Sequence, residues 1–214
     1  IQNLKEKKMS PILGCSLPTG VGLIKKDLKP KKNKCFIICG VGGVGIFVLL
    51  AIKQFNPKKI IIIEKNQRKI NILKKLNLNV ELIKYKKNLK NEILKKNMNV
   101  LADYIIDCTG NINSMNNCLN LINRNGTFLF ASHPDSKKKL SLNPHELISG
   151  KRVAGSWGGG IKIDKDKKFL ISFYKKYFLN SPLKKLIKIY DLNNLNTAIK
   201  DVRNGRVFKA ILKH

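Results

Sequence analysis

The sequence predicts an α/β fold, a doubly wound parallel sheet with helices on both faces. Three observations carry that prediction. From residue 35 onward, short β-type runs alternate with longer segments of helical period. Runs such as "IIII" (60–63) are apolar at consecutive positions, so both faces of the strand need cover. A glycine-rich turn joins the first strand to the first helix.

The strands, in order, are "CFIIC" (35–39), "KIIIIE" (59–64), "NVELI" (79–83), "DYIIDC" (103–108), "GTFLFA" (126–131) and "KRVAGSW" (151–157). Each is rich in β-branched or aromatic residues and bounded by Lys, Asn or Gly. Between them, "GVGIFVLLAIKQF", "NQRKINILKKL", "NLKNEILKKN" and "NINSMNNCLNLIN" repeat apolar residues at three and four, the period of amphipathic helices. After "GSWGGG" (155–160) the pattern changes to a helix, "DKDKKFLISFYKKYF", then "LKKLIKIYDL", a helix "NLNTAIKDVRNG" and a closing strand "VFKAILK". Gly158, Gly159 and Gly160 mark a hinge or boundary, because consecutive glycines relax the backbone. Residues 17–160 are thus expected to form the sheet domain. Residues 1–16 and 161–214 are too short to stand alone and are expected to belong to a second domain. The chain opens on Ile rather than Met and in mid-pattern, as an incomplete copy would.

A formal charge of +30 invites a nucleic-acid reading. Its composition points elsewhere: 38 of the 43 basic residues are Lys, and Asn (24) and Ile (27) are similarly enriched, as an AT-rich coding sequence would produce. The lysines are scattered rather than gathered beside aromatic residues, so no specific nucleic-acid partner is expected. No apolar run is long enough to span a bilayer, and "IQNLKEKKMS" has no apolar signal core, so the expected location is cytoplasmic, without membrane contact. Five cysteines without a C-x-x-C pair fit a reducing compartment. Cys35, Cys39, Cys108 and Cys118 read as small buried residues.

The segment "CGVGGVG" (39–45) supplies G-x-G-x-x-G as Gly40, Gly42 and Gly45, directly after a strand and opening a helix. Gly40 permits the tight turn, Gly42 lets backbone N–H groups approach a pyrophosphate, and Gly45 lets the helix pack close to the sheet. Glu64 ends the second strand nineteen residues after Gly45, where a carboxylate can accept hydrogen bonds from a ribose diol. This is the Rossmann fingerprint. NAD is expected over NADP, because the carboxylate repels a 2′-phosphate, although Lys65 and Arg68 stand close enough to accommodate one.

"GCSLPTGVG" (14–22), "CGVGGVG" (39–45), "IIIIEKNQRK" (60–69), "DYIIDCTG" (103–110), "PDSKKKLSLNP" (134–144) and "GKRVAGSWGGG" (150–160) occur in the order and spacing of medium-chain zinc-dependent alcohol dehydrogenases. The chain resembles that family throughout, though it matches only part of the family's length. The resemblance implies that Cys15 is one of three protein ligands of a catalytic zinc. The other Cys and the His would come from a GroES-like N-terminal domain that these residues do not contain. It places Thr19 beside the nicotinamide, as the catalytic residue visible here, and Gly42, Gly43 and Val44 around the pyrophosphate. It also places Glu64 and Lys69 at the adenosine ribose, Thr109 against the cofactor, and Ser132, Ser156 and Gly158 around the carboxamide. Lys209 matches a position usually held by Arg that reaches the pyrophosphate. His133 reads as a pocket wall or surface residue; His145 and His214 receive no role.

What the resemblance implies is NAD-dependent, zinc-assisted oxidation of a small-molecule alcohol to an aldehyde or ketone, in a homodimer whose strands near "RVAGSW" pair across a two-fold axis. These 214 residues alone would bind NAD and turn over nothing. Two other readings stay open: a zinc-free NADPH-dependent reductase of the same superfamily, and a non-enzymatic nucleotide- or nucleic-acid-binding module.

Overall fold

The computed structural model describes residues 10–213. Six parallel strands form one sheet: β1 (Cys35–Cys39), β2 (Lys59–Glu64), β3 (Glu81–Lys84), β4 (Ala102–Asp107), β5 (Ile122–Phe130) and β6 (Arg152–Gly155), in the spatial order β3-β2-β1-β4-β5-β6. The order reverses between β1 and β4, which pair side by side with Ile37 opposite Ile105. The predicted doubly wound sheet is therefore the fold of the chain.

Strand alternation explains the unbroken apolar runs. Phe36, Ile38, Ile60 and Ile62 enter one buried cluster, and Cys35, Ile37, Cys39, Ile61 and Ile63 enter another on the opposite face. Cys35 and Cys39 share a face, as their spacing requires. Cys118 joins them there, its Sγ 2.9 Å from that of Cys39. Cys108 departs from the expectation of burial: it is partly exposed and lines a cleft.

The helices are α1 (Ser16–Gly22), α2 (Gly43–Ile52), α3 (Gln67–Lys75), α4 (Lys90–Lys96), α5 (Ile112–Leu119), α6 (Pro144–Ile148), α7 (Ile163–Phe173) and α8 (Leu195–Arg203). Helix α1 has no clear periodic signal in the sequence, because Pro18 and two glycines mask it. Pro18 sits in the first turn, where its missing N–H would have no partner in any case. Helix α2 is not amphipathic as its period suggested: every residue from Gly45 to Ile52 is buried. The reason is a second layer. Gly20 of α1 packs so tightly on α2 that a Cβ there would lie 2.7 Å from Phe47 Cβ, and the Phe178 ring stands 5.1 Å from that of Phe47.

Strand β5 begins earlier than "GTFLFA" suggests. Ile122 pairs with Ala102 and Thr127 with Tyr104, so residues between them form a bulge in which Asn125 adopts φ 70°. At the end of the chain, β7 (Ile187–Asp191) and β8 (Lys209–Lys213) form a separate parallel pair connected through α8. Leu170, Phe173, Phe178, Leu186 and Ile211 belong to the same apolar cluster as Phe36 and Phe47.

The triple glycine is not slack. Gly158, Gly159 and Gly160 all have positive φ, and a Cβ on Gly159 would lie 2.5 Å from the Thr19 carbonyl and 2.9 Å from Gly22 Cα. Ser156 Oγ accepts from the Gly159 N–H and donates to Asp27, fixing this turn against the end of α1. Glycine is needed here for close approach in a left-handed backbone rather than for freedom.

Candidate cofactor cleft

A cleft of about 490 Å³ opens at the C-terminal ends of β1, β2 and β4, where the strand order reverses. Open α/β sheets bind ligands at such a switch point because adjacent loops leave in opposite directions. Gly40, Gly42, Glu64, Lys69 and Thr109 all line it, although they lie up to 69 residues apart in sequence, from Gly40 to Thr109.

The glycine loop has the geometry that its sequence predicts. Gly40 has φ +80°, and a Cβ there would lie 2.7 Å from Thr109 Cγ2. A Cβ on Gly45 would come within 2.5 Å of the Gly40 carbonyl, so helix and loop are in contact. Gly42 differs from both: its φ is −114°, and a Cβ there would meet nothing within 4 Å. The protein leaves that space empty. Gly42 is also the N-cap of α2 and offers no side-chain cap, so the first-turn N–H groups have no intrahelical acceptor. An anion placed there meets backbone donors and the positive end of the helix dipole.

Glu64 is almost fully buried, and both of its oxygens are engaged: Oε2 accepts from the Val41 N–H at 3.1 Å and Oε1 from the Asn66 N–H at 3.0 Å. The carboxylate thus braces the glycine loop, with lone pairs left for a further donor. Asn66 caps α3 in turn, accepting from the Arg68 and Lys69 N–H groups. Lys69 reaches back across the loop, donating to the Val41 carbonyl at 3.3 Å with its Nζ 5.0 Å from the Phe208 ring centroid. Burial holds its ammonium below the usual lysine range, partly offset by Glu64.

Sequence reading did not single out Asp107, which closes β4 and is fully buried. Its Oδ1 accepts from the Thr109 and Gly110 N–H groups at 3.0 and 3.2 Å and from Ser132 Oγ at 2.8 Å; Oδ2 accepts from Thr109 Oγ1 at 2.8 Å. One carboxylate therefore fixes the β4 turn and ties it to Ser132. The signal was present in "IIDCTG": an acid ending an apolar strand must be hydrogen-bonded if it is buried. Cys108 beside it is partly exposed at the cleft, and desolvation of its thiol, with the Asp107 charge, raises it well above its ordinary range.

The remaining sequence-predicted residues do not line this cleft. A Cβ on Gly43 would lie 3.0 Å from Lys209 Cδ and 3.2 Å from Ser16 Oγ, so β8 and α1 both reach the start of α2. Val44 turns its carbonyl toward Gly20 of α1. Cys15 is exposed at the start of α1, one residue before Ser16, and Thr19 is partly buried one turn further on. Among the described residues no group of three His, Cys, Asp or Glu side chains could hold a metal ion, so these residues do not complete a zinc site. His133 is exposed and packs edge-on against Trp157, with ring centroids 5.1 Å apart. His214 lies outside the described residues.

A parallel sheet of this order, with a glycine loop, an uncapped helix start and an acid at the end of β2, defines a Rossmann-type domain. Residues 43–176, more than half of the chain, match the family model described as zinc-binding dehydrogenase, and the chain belongs to that family. Over 94% of its length it is 27% identical to alcohol dehydrogenase 6 of Peromyscus maniculatus, covering 54% of that protein. It is 26% identical to S-(hydroxymethyl)glutathione dehydrogenase of Saccharomyces cerevisiae, covering 53% of it. The chain thus spans about half the length of the curated relatives it matches. Its fold is also that of benzyl alcohol dehydrogenase from Acinetobacter calcoaceticus (TM-score 0.87, 22% identity, covering all of this chain and 58% of that one). The resemblance to medium-chain alcohol dehydrogenases read from the motifs is borne out. Among the described residues no helix is long and apolar enough to cross a membrane.

Proposed function

We propose that the cleft binds NAD, and that the protein is the nucleotide-binding part of an alcohol dehydrogenase that oxidises a small-molecule alcohol to an aldehyde or ketone. The observation that carries this reading is the open space above Gly42 at the uncapped start of α2, with Glu64 at the end of the adjacent strand. Bound NAD supplies the acceptor for the hydride that leaves the alcohol carbon, while the hydroxyl proton is released. The N–H groups of Gly42, Gly43 and Val44 hold the pyrophosphate, and Lys209 adds a cation at the same point. As a lysine rather than an arginine it provides charge without a bidentate fork. Glu64 accepts from the adenosine ribose through its free lone pairs. Thr109, its hydroxyl already donated to Asp107, packs against the cofactor. Thr19 and Ser132 face the nicotinamide end.

The description of the matching family, zinc-binding dehydrogenase, and the motif around Cys15 support a zinc-assisted reaction in which Cys15 is one of three protein ligands and the others come from outside these residues. Zinc in such a site polarises the substrate oxygen. β6 is an edge of the sheet and Trp157 beyond it is 86% exposed, which supports pairing of two copies along that edge. Residues 161–214 would serve the second domain while anchored to α2 through Phe178 and Phe47. A second reading, a zinc-free reductase using NADPH, draws on Lys65 and Lys69, which line the same cleft as Glu64. Of these, Lys69 is already tied to the loop.

Absorbance of reduced nicotinamide, followed during incubation with primary alcohols, polyols and the glutathione adduct of formaldehyde, tests the reaction. The 214-residue chain is expected to bind NAD without turnover, and a longer chain carrying the other ligands to turn over and to lose activity in Cys15→Ser. Alcohol oxidation by the 214 residues alone would contradict the ligand assignment, and absence of NAD binding would overturn the reading itself.

A further inference from the structure

The opposite end of the sheet carries a second concavity. A cavity of about 740 Å³ lies at the start of β2, between the end of α2, the end of α3 and the turn leading into β3. Its charged lining is Lys53, Lys58, Lys59, Lys74 and Lys96, with Glu81 as the only acid. None of these residues takes part in the cofactor cleft.

Three of the five ammonium groups are held in place. Lys53 Nζ donates to the Leu78 carbonyl at 2.7 Å, Lys59 Nζ to the Lys96 carbonyl, and Lys96 Nζ to Glu81 Oε2 at 2.8 Å. Each keeps N–H donors in reserve, since an ammonium has three. Burial also holds the Lys53 ammonium below its ordinary range, so an entering anion restores stabilisation that desolvation removed. At the mouth, Asn56, Asn77 and Asn79 all take left-handed backbone conformations and add uncharged carboxamides to the lining. Leu73 and Leu78 form a buried apolar floor.

We propose that this cavity is a second anion site, for a small molecule bearing several linked phosphates. A single carboxylate would compensate one ammonium and leave most of the lining charge unmet, whereas linked phosphates carry enough charge to compensate several. Lysines act as point charges on phosphate, and no arginine fork selects a planar carboxylate. The volume suits a nucleotide-sized ligand, and the lining is concave and lacks the row of aromatic platforms with which proteins hold a nucleic-acid strand.

Calorimetric titration with inorganic tripolyphosphate, in about 0.1 M salt and saturating NAD, tests this site. Saturable binding is expected. Lys58 and Lys74 are exposed, so the double variant Lys58→Gln/Lys74→Gln keeps the fold and is expected to weaken binding about tenfold. The triple variant Lys137→Gln/Lys138→Gln/Lys139→Gln removes more charge from an exposed loop elsewhere and is expected to change it by less than about twofold. Glu81→Gln, which removes the one carboxylate, is expected to tighten it. Absence of saturable binding, or equal losses in the double and triple variants, would assign the effect to the diffuse charge of the chain and overturn the proposal. Tighter binding of a single-stranded oligonucleotide than of tripolyphosphate, with the same loss in the double variant, would overturn the small-molecule assignment.

Discussion

The two ends of the parallel sheet handle negative charge by different means. At the C-terminal end, the groups offered to an anion are backbone N–H groups of the Gly42–Val44 turn, set by strand, loop and helix geometry, with Glu64 bracing the loop and Asp107 the neighbouring β4 turn. At the N-terminal end they are lysine side chains, gathered by the fold from residues 53 to 96. The first arrangement needs glycine at fixed spacing and can be read from a seven-residue string. The second needs only charge in the right region, and in a chain with 38 lysines no spacing reveals it.

The comparison breaks most readily at Asp107. Its carboxylate accepts four hydrogen bonds in a fully buried position, so Asp107→Ala leaves two N–H groups and two hydroxyls without their acceptor. A stability loss of about 3 kcal/mol is expected by denaturant unfolding. NAD affinity should fall with it, and tripolyphosphate binding at the other end should fall only as far as unfolding requires. A loss under about 1 kcal/mol would show that the β4 turn does not depend on this acid.

Gly42→Val separates binding from folding. Its φ is ordinary and a Cβ meets no protein, so the melting temperature should stay unchanged while NAD affinity falls about a hundredfold, the side chain occupying the pyrophosphate's place. Gly40→Val, by contrast, is expected to destabilise the fold itself, because φ is +80° and Thr109 lies in the way. Equal NAD affinity in Gly42→Val and the unsubstituted chain would remove the loop from the binding site.

Glu64→Gln sharpens the cofactor choice. The amide keeps one acceptor for the loop but loses the charge that repels a 2′-phosphate, so the preference for NAD over NADP is expected to shrink about tenfold in paired titrations. A ratio that does not move would assign the selectivity elsewhere.

The smallest expected effect is on acid stability. Asp166 is held below its ordinary value of 3.8 by its hydrogen bond from Lys26, and Asp201 below 3.8 by those from Tyr190 and Arg206. Both native values lie under the unfolded one. Their contributions are therefore complete above pH 3.8 and are lost as pH falls from there through the lower native values. Melting curves should move little between neutral pH and about pH 5 on account of these groups, then fall, and less steeply in Asp166→Asn. An equal fall in that variant would point to other carboxylates.

Legibility in the sequence follows the same division. The sheet was readable because strands buried on both faces must be apolar at every position, and the glycine loop because backbone shape restricts residue identity. Helix α1 was not, since Pro18 and its glycines carry no period. The all-round burial of α2 was not either, because it depends on a layer contributed by residues near 20 and 178. The triple glycine suggested slack where the structure packs Gly159 against Thr19 and Gly22. Asp107 was visible as a residue but not as a network, since its partners at Thr109 and Ser132 meet only when β4 and β5 pair. The role proposed for Cys15 rests on resemblance alone.

The most direct test of the cleft is a titration of isotope-labelled chain with NAD, followed by backbone amide chemical shifts. The expected result is saturating shifts confined to Gly40–Gly45, Glu64–Asn66 and Asp107–Gly110, with residues Lys53–Lys59 at the far end unmoved. Shifts that do not saturate, or that centre on the lysine cavity instead, would contradict NAD binding at the β1–β4 switch point.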